Sequence, residues 1–513
     1  MRLFKKSAII FATGQLTHLT TLAAQVVLLR HFSDDKVTMG TYLQVLLAFE
    51  LLVAIVNLQL GSSFYYYIST LGAERRRSFV VQTVLVTLVQ ASVIAGVLYF
   101  GAGALALSQK NPDLAPLLKQ FSLYGFGSLV VNLVSPFLIS LDRPLRAGAF
   151  GMLTHGGQAL LAVGLFLTGA SVGQVVGAQV VWMMGCGALG VVQMLWLSPG
   201  GRWRPERSLL VEQFSYCWPL VVSSMIAMLN MKYDRALISG YFGAASLAVY
   251  HPGARALPAL GGLTRAVGSA LMPDLARLGQ AGEHARAFRL WRSAANKVAL
   301  VIFPVFAFLL FNCREAVLLL LRHEYVQAAW PFAIYLLILP VQITVASALL
   351  KSFGQTRPVA VSAGLALVTN VVLSTSLVFL GRGTLFSFVA PAIGTVASGM
   401  VMMGYLFGRI GKTVGVGFGQ VLCWGYLGRF LGVTLGCGAV TLLVRLPTFT
   451  AWPELQLGVV LAVRVAVFLG VWIAALWVFP VLAKEEMSYF LLPLTALRRL
   501  VRGAKGEPVW KRE

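Results

Sequence analysis

The sequence is poor in charge, and poorest in acid. Only 12% of its 513 residues are Asp, Glu, Lys or Arg, while 58% are hydrophobic. Soluble domains average about 25% charged residues. This chain has too little charge to cover a water-facing surface of its size, which excludes a soluble globular protein and leaves a polytopic membrane protein. The five cysteines, at positions 186, 217, 313, 423 and 437, are scattered through apolar runs without a CxxC pair, so neither a disulfide framework nor a thiolate metal site is expected. The histidines (18, 31, 155, 251, 284 and 323) are isolated, and no Walker loop or HExxH motif occurs. Nothing here is arranged to make or break a bond, so no enzyme, cofactor or metal centre is expected. Of the histidines, His251 stands out for its place one turn before Arg255. The amino-terminal MRLFKKSAIIFATGQ has basic flanking like that of a signal peptide, but its apolar run continues to Leu29 without a small-residue cleavage site. A retained first span is expected.

What the chain has in quantity is long apolar runs. A bilayer crossing needs about 20 mostly apolar residues. That rule gives fourteen spans, near 8–29, 39–68, 79–106, 117–140, 147–168, 173–197, 213–238, 246–271, 298–313, 330–350, 358–380, 385–407, 421–445 and 457–482. The fold class is all-α and polytopic. The segment 274–297, with Leu275, Leu278, Phe288 and Trp291 among basic residues, reads as an amphipathic helix on the membrane surface. A hairpin-like unit at spans one and two is repeated faintly at spans seven and eight. Two related six-span lobes follow from it, residues 1–200 and 213–410, joined by the linker 201–212. Spans thirteen and fourteen (411–483) and a basic tail (484–513) are additions.

Most of the 41 basic residues, against 18 acidic ones, fall in alternate breaks between spans. The net charge of +23 is therefore largely topogenic. It faces anionic lipid headgroups, with both termini in the cytoplasm and no nucleic-acid partner.

The stretch Asn230 to Arg265 is the exception within the apolar chain, since it carries Lys232, Asp234, Arg235, Arg255 and Arg265. Charge inside lipid costs at least about 2.5 kcal/mol per residue and normally lines a polar cavity. Arg255 falls about nine residues into its span, roughly 13 Å deep, beyond the reach of simple snorkelling. It is the leading candidate for contact with an anion. Arg265, Lys232, Arg235, Arg30 and Arg464 are supporting candidates; Asp234 and Glu50 are the scarce intramembrane acids, suited to ion coupling or to pairing with these cations. Each has a bland alternative: an ion pair of Arg255 with Asp234 or Glu50, or snorkelling of Arg265 at the inner interface. The excess of cations favours a phosphate-bearing cargo over a cationic drug, because guanidinium forks match phosphate oxygens bidentately.

The segments LLRHFSDDKVTMGTYLQ (28–44), MKYDRALISGYFGAASLAVYHPGARAL around Asp234, SALMPDLARL (269–278) and LRHEYVQAAWPF (321–332) carry a resemblance. The chain resembles the Wzx-like polysaccharide flippases of the multidrug/oligosaccharidyl-lipid/polysaccharide (MOP) superfamily, to which MurJ and the MATE exporters also belong. The resemblance implies two six-helix lobes around a central cavity with two further C-terminal helices. It further implies alternating access in the bacterial cytoplasmic (inner) membrane, with an undecaprenyl-diphosphate-linked oligosaccharide as cargo and glycan-synthesis machinery as a partner class. Arg255 and Arg30 fall where such proteins hold the diphosphate. The first span departs from the pattern of the superfamily. It has no internal arginine as in MurJ-like proteins, and Gln15, Thr17 and His18 stand where MATE exporters carry an acidic cation site. A MATE-like cation-coupled antiporter, a MurJ-like lipid II flippase and a non-transporting scaffold using the basic tail remain the competing readings.

Overall fold

The computed structural model describes residues 2–198, 200, 203–254, 258–444 and 453–478. Among these residues there is no β-strand. Ten helices are long and apolar enough to cross a membrane, or eleven if one bent pair is a single span. The all-α, multi-pass reading holds, and the count of fourteen is not confirmed.

In chain order the first helices are α1 (Arg2–His31), α2 (Lys36–Val56), α3 (Leu60–Thr70), α4 (Ala73–Phe100), α5 (Ala102–Ser108), α6 (Leu114–Phe121) and α7 (Tyr124–Ser140). Next come α8 (Pro144–Gly151) and α9 (Gly157–Leu167), joined through a π-helical turn at Met152–Gly156, then α10 (Val172–Trp196), α11 (Arg207–Phe242) and α12 (Ala244–Ala254). The remainder are α13 (Pro258–Gln280), α14 (His284–Phe311), α15 (Cys313–Leu321), α16 (Ala329–Leu336), α17 (Ala346–Ser352), α18 (Arg357–Leu380), α19 (Leu385–Val414), α20 (Phe418–Val421), α21 (Trp424–Val440) and α22 (Pro453–Val478).

Several apolar runs that read as single spans are interrupted. The run 39–68 breaks between α2 and α3, where Gln59 takes a left-handed backbone at φ 52°. The run 117–140 is bent by 49° between α6 and α7. The run 330–350 divides into α16 and α17. The run 246–271 divides into α12 and α13, with 255–257 outside the described residues. The expected surface helix over 274–297 is not formed. A turn at Gly282 (φ +73°) ends α13, and the basic second half of the segment is the first half of the 28-residue α14. Span nine is thus not short. Its apolar residues are simply the later turns of a long helix, and hydropathy alone stopped at Lys297. The basic tail 484–513 lies outside the described residues.

The chain divides into two compact units. One comprises Met1–Ala259, Leu320–Tyr335 and Arg357–Gly404; the other comprises Leu260–Leu319, Leu336–Thr356 and Tyr405–Glu513. In the first unit α10 packs on α7, α12 on α2, and α11 on both α2 and α18. Small residues let these backbones touch, as is usual where lipid removes any hydrophobic drive between helices. A Cβ on Gly40 of α2 would sit 1.9 Å from the carbonyl oxygen of Ala244 at the start of α12. That oxygen is backbone and cannot swing aside. Gly40→Ala is therefore expected to separate α2 from α12 and to lower the melting temperature of the purified protein by several degrees; an unchanged melting temperature would show that the crossing has slack. Asp35 caps α2, accepting from the Thr38 amide at 3.0 Å and the Thr38 hydroxyl at 2.6 Å. These bonds hold its carboxyl below the usual aspartate range.

In the second unit α14 packs against α21, and the buried rings of Phe303 and Phe430 stack at 5.8 Å. Trp291 is 1% exposed, between Phe288 and Phe407. It anchors the first half of α14 in protein, where a surface helix would have placed it against lipid headgroups.

A candidate anion-binding cavity

A cavity of about 140 Å³ opens within the first unit between α1, α2, α9, α11 and α12. Most of its wall is apolar, built from residues such as Leu28, Leu43, Leu47 and Leu247. Into this wall come a carboxylate, a guanidinium and an imidazole, Glu50 of α2, Arg235 of α11 and His251 of α12. Ligand sites commonly combine an apolar lining with a few convergent polar groups.

The geometry sorts the charges that the sequence grouped together. Lys232 donates to Glu50 Oε2 at 2.5 Å, so the carboxylate at the cavity is already balanced. Arg235, three residues further along the same helix, is 9% exposed and makes no hydrogen bond or ion pair among the described residues. Its Nε is buried without a partner. A guanidinium in that state is costly to leave unpaired, and an incoming anion would relieve it.

Asp234 is placed differently from its neighbour. It is 2% exposed and accepts a hydrogen bond from the hydroxyl of Tyr335 on α16. The Tyr335 hydroxyl also lies 3.1 Å from that of Tyr250 on α12. One turn before Asp234, Asn230 is tied by Asn370 of α18 through its carbonyl (3.1 Å) and its side-chain oxygen (3.0 Å). Ser374 then donates to Asn370 Oδ1 at 2.8 Å. These contacts fix the rotation of α11 about its axis and so aim Arg235 at the cavity. Glu50, not Asp234, pairs with the adjacent lysine.

The remaining candidates separate. Arg30 donates from Nε to the Leu320 carbonyl at 2.8 Å, which uses one edge of its fork. Arg464 belongs to the second unit and is 8% exposed. Its Nη1 reaches Asn312 Oδ1 and Glu315 Oε1, each at 2.9 Å, and Nε and Nη2 both approach the Val444 carbonyl at 3.4 Å. It is a cross-brace between α22, α15 and the end of α14. Arg265 lies on α13, and only its backbone is described. Arg255, the leading candidate from sequence, lies outside the described residues.

Reading the sequence missed Tyr335, Tyr250 and Asn370, which hold α11 in place. They lie 16 to 140 residues away from the residues they serve, and an amide or phenol within an apolar run carries no local signal. His251 did carry one, its place in the same charged stretch.

A family model described as "Polysaccharide biosynthesis protein" matches residues 73–330, just over half of the chain. No curated protein sequence gives a significant match. Among solved structures, a lipid II flippase MurJ in an inward closed conformation superposes with a TM-score of 0.71 at 12% identity, covering 95% of this chain and 100% of that one. A multidrug resistance MATE family transporter of the MOP superfamily, inward-facing, superposes at 0.58 with 14% identity, covering 77% and 95%. A MOP superfamily transporter from Pyrococcus furiosus gives 0.53 at 14% identity, covering 80% and 96%. These likenesses establish a fold shared with MurJ and the MATE transporters, and the chain itself belongs to the polysaccharide biosynthesis protein family.

Proposed function

We propose that this protein is a flippase that moves an undecaprenyl-diphosphate-linked oligosaccharide from the cytoplasmic to the outer leaflet by alternating access. The bacterial cytoplasmic membrane is the proposed location, with both termini in the cytoplasm and the chain organised as two six-span lobes. The observation that carries this reading is Arg235, a buried guanidinium with no hydrogen bond or ion pair among the described residues, at a mostly apolar cavity whose one carboxylate is paired with Lys232. A diphosphate headgroup supplies the oxygens that such a fork lacks. Arg255 and Arg265 stay in the proposal as further candidates for contact with the diphosphate. Arg464 leaves it as a primary ligand, since its donors are engaged by protein oxygens, and Arg30 becomes secondary, with one edge of its fork on the Leu320 carbonyl.

A cation-coupled antiporter would want an available carboxylate. Glu50 is bound to Lys232, and Asp234 is 2% exposed and does not line the cavity, one of its oxygens accepting from Tyr335 while Oδ1 has no hydrogen-bond partner among the described residues. The cavity itself therefore offers no unpaired carboxylate for the MATE-like alternative. Reconstitution tests the proposal directly. Proteoliposomes carrying a fluorescent undecaprenyl-diphosphate-linked sugar are expected to expose it on the opposite leaflet only when the protein is present. A rate equal to that of empty liposomes would defeat the reading.

A further inference from the structure

A second cavity in the first unit, of about 150 Å³, has a different chemistry. It lies where α3, α4 and α7 meet, and its polar lining is Asn57, Gln59, Ser62, Thr87, Gln90 and Asn132. No charged side chain is among its lining residues. The space is roughly ten times what a single water needs, which is generous for one ion or water and suited to one small ring.

Two helix irregularities converge on it. The α2–α3 break places Asn57 and Gln59 in non-helical backbone, and Asn57 Oδ1 accepts the Gln59 amide at 3.0 Å. Pro136 sits inside α7. It has no N–H to return to the residue four before it, so the Asn132 carbonyl loses its intrahelical donor. A Cβ on Gly61 would lie 3.3 Å from that carbonyl oxygen and 3.3 Å from the Pro136 ring. The break in one helix therefore abuts the proline and the freed carbonyl of the other. Non-helical backbone at membrane depth is tolerated where it lines a polar cavity, and broken spans mark binding sites in transporters.

Three of these side chains are open for use. Thr87 spends its hydroxyl on the Thr83 carbonyl. Gln90, 5% exposed, makes no side-chain hydrogen bond among the described residues, and neither do Ser62 and Asn132. Asn132 is exposed although it lies halfway along α7, so the cavity mouth presents an amide where lipid would demand an apolar group. Amides and hydroxyls that both donate and accept, with no ionic group beside them, match a neutral polyhydroxyl.

We propose that this neutral pocket holds a sugar ring of the cargo, separate from the cationic cavity that holds its diphosphate. The assignment rests on the flippase reading above. It makes glycan preference a property of the α2–α3 break, while Arg235 contributes affinity common to every lipid diphosphate.

The test is binding by the full-length protein in nanodiscs. Its probes are undecaprenyl diphosphate alone and the same lipid carrying glucose, galactose or N-acetylglucosamine. Wild-type protein is expected to favour at least one sugar-bearing lipid by about tenfold over the bare lipid, the scale of two hydrogen bonds. Gln90→Leu with Asn132→Leu should erase that ratio while holding undecaprenyl diphosphate affinity within about twofold. If the pair fails to fold, Asn132→Leu at its exposed position carries the test alone. Equal binding of all four lipids by wild type, or a preference that survives the leucines, overturns the sugar pocket and leaves the flippase reading standing. Failure of wild type to bind any of the lipids removes the flippase reading, and this proposal with it. Leucine variants that lose a sodium dependence of binding yet keep the sugar preference would mark the pocket as a cation site and also overturn the proposal.

Discussion

Arg235→Ala is expected to reduce transport of a lipid-linked glycan by on the order of 100-fold while leaving the amount of protein in the membrane unchanged. A bidentate guanidinium–diphosphate contact consists of two charge-assisted hydrogen bonds, each worth about 1.5–3 kcal/mol, and every 1.4 kcal/mol is a factor of ten. The native fold has little to lose from the substitution. Arg235 makes no hydrogen bond or ion pair among the described residues, and its Nε is already unsatisfied. Truncating it removes an unpaired buried donor, so the melting temperature should stay level or rise. Arg235→Lys keeps the charge but loses the fork, and an intermediate rate is expected. The decisive readout is the split between activity and stability. Loss of transport together with a fall in melting temperature would reassign Arg235 to a structural role, and full transport by the alanine variant would remove it from the site.

The opposite split is expected at Arg464. Three groups converge on its guanidinium, namely Asn312 Oδ1, Glu315 Oε1 and the Val444 carbonyl. Removing one partner of a buried ion pair typically costs about 3–5 kcal/mol, because the other charge is left without compensation. Arg464→Leu should therefore lower the melting temperature sharply and reduce the yield of folded protein. Adding Glu315→Leu should recover much of the loss, since replacing both partners with apolar side chains is often close to neutral. Glu315 is only partly buried, so the recovery is measured against the Glu315→Leu single variant in a double-mutant cycle. A double variant no more stable than Arg464→Leu would show that Asn312 and the Val444 carbonyl, rather than the carboxylate, dominate the brace.

These two arginines show what was legible beforehand. Both were singled out for the same reason, a cation inside an apolar run. Hydropathy registers the cost of burying such a charge but not what relieves it. For Arg464 the relief comes from residues 20 to 152 positions away in the chain. For Arg235 none is found among the described residues. The membrane class and the helical architecture could be read because they depend on local sums over about 20 residues. The interruptions could not. The run 39–68 stays apolar on both sides of Asn57 and Gln59, and only the short LQLG sequence at 58–61 hints at the break. The segment 274–297 misled for a related reason. Its basic residues and buried Trp291 look amphipathic whether the apolar side meets lipid or, as here, the aromatic residues Phe288 and Phe407.

The π-helical turn at Met152–Gly156 carries a different kind of consequence. Its wider loop of backbone leaves the Thr154 carbonyl facing outward, and the indole of Trp182 donates to it at 3.4 Å. Such a turn holds one residue more than the α-helix around it. A continuous α-helix of the same sequence would carry every later position about 100° further round, the angle of a single residue. The wide turn absorbs that residue. A relative lacking it would keep Gly157 to Leu167 on the same face, with an alignment gap in mid-membrane where none would be anticipated. Deleting one residue inside the turn would accordingly be a shortening without a rotation, and the Ala159 and Ala162 wall of the cationic cavity would keep its place. The same deletion within α9 would turn the rest of that helix about its own axis.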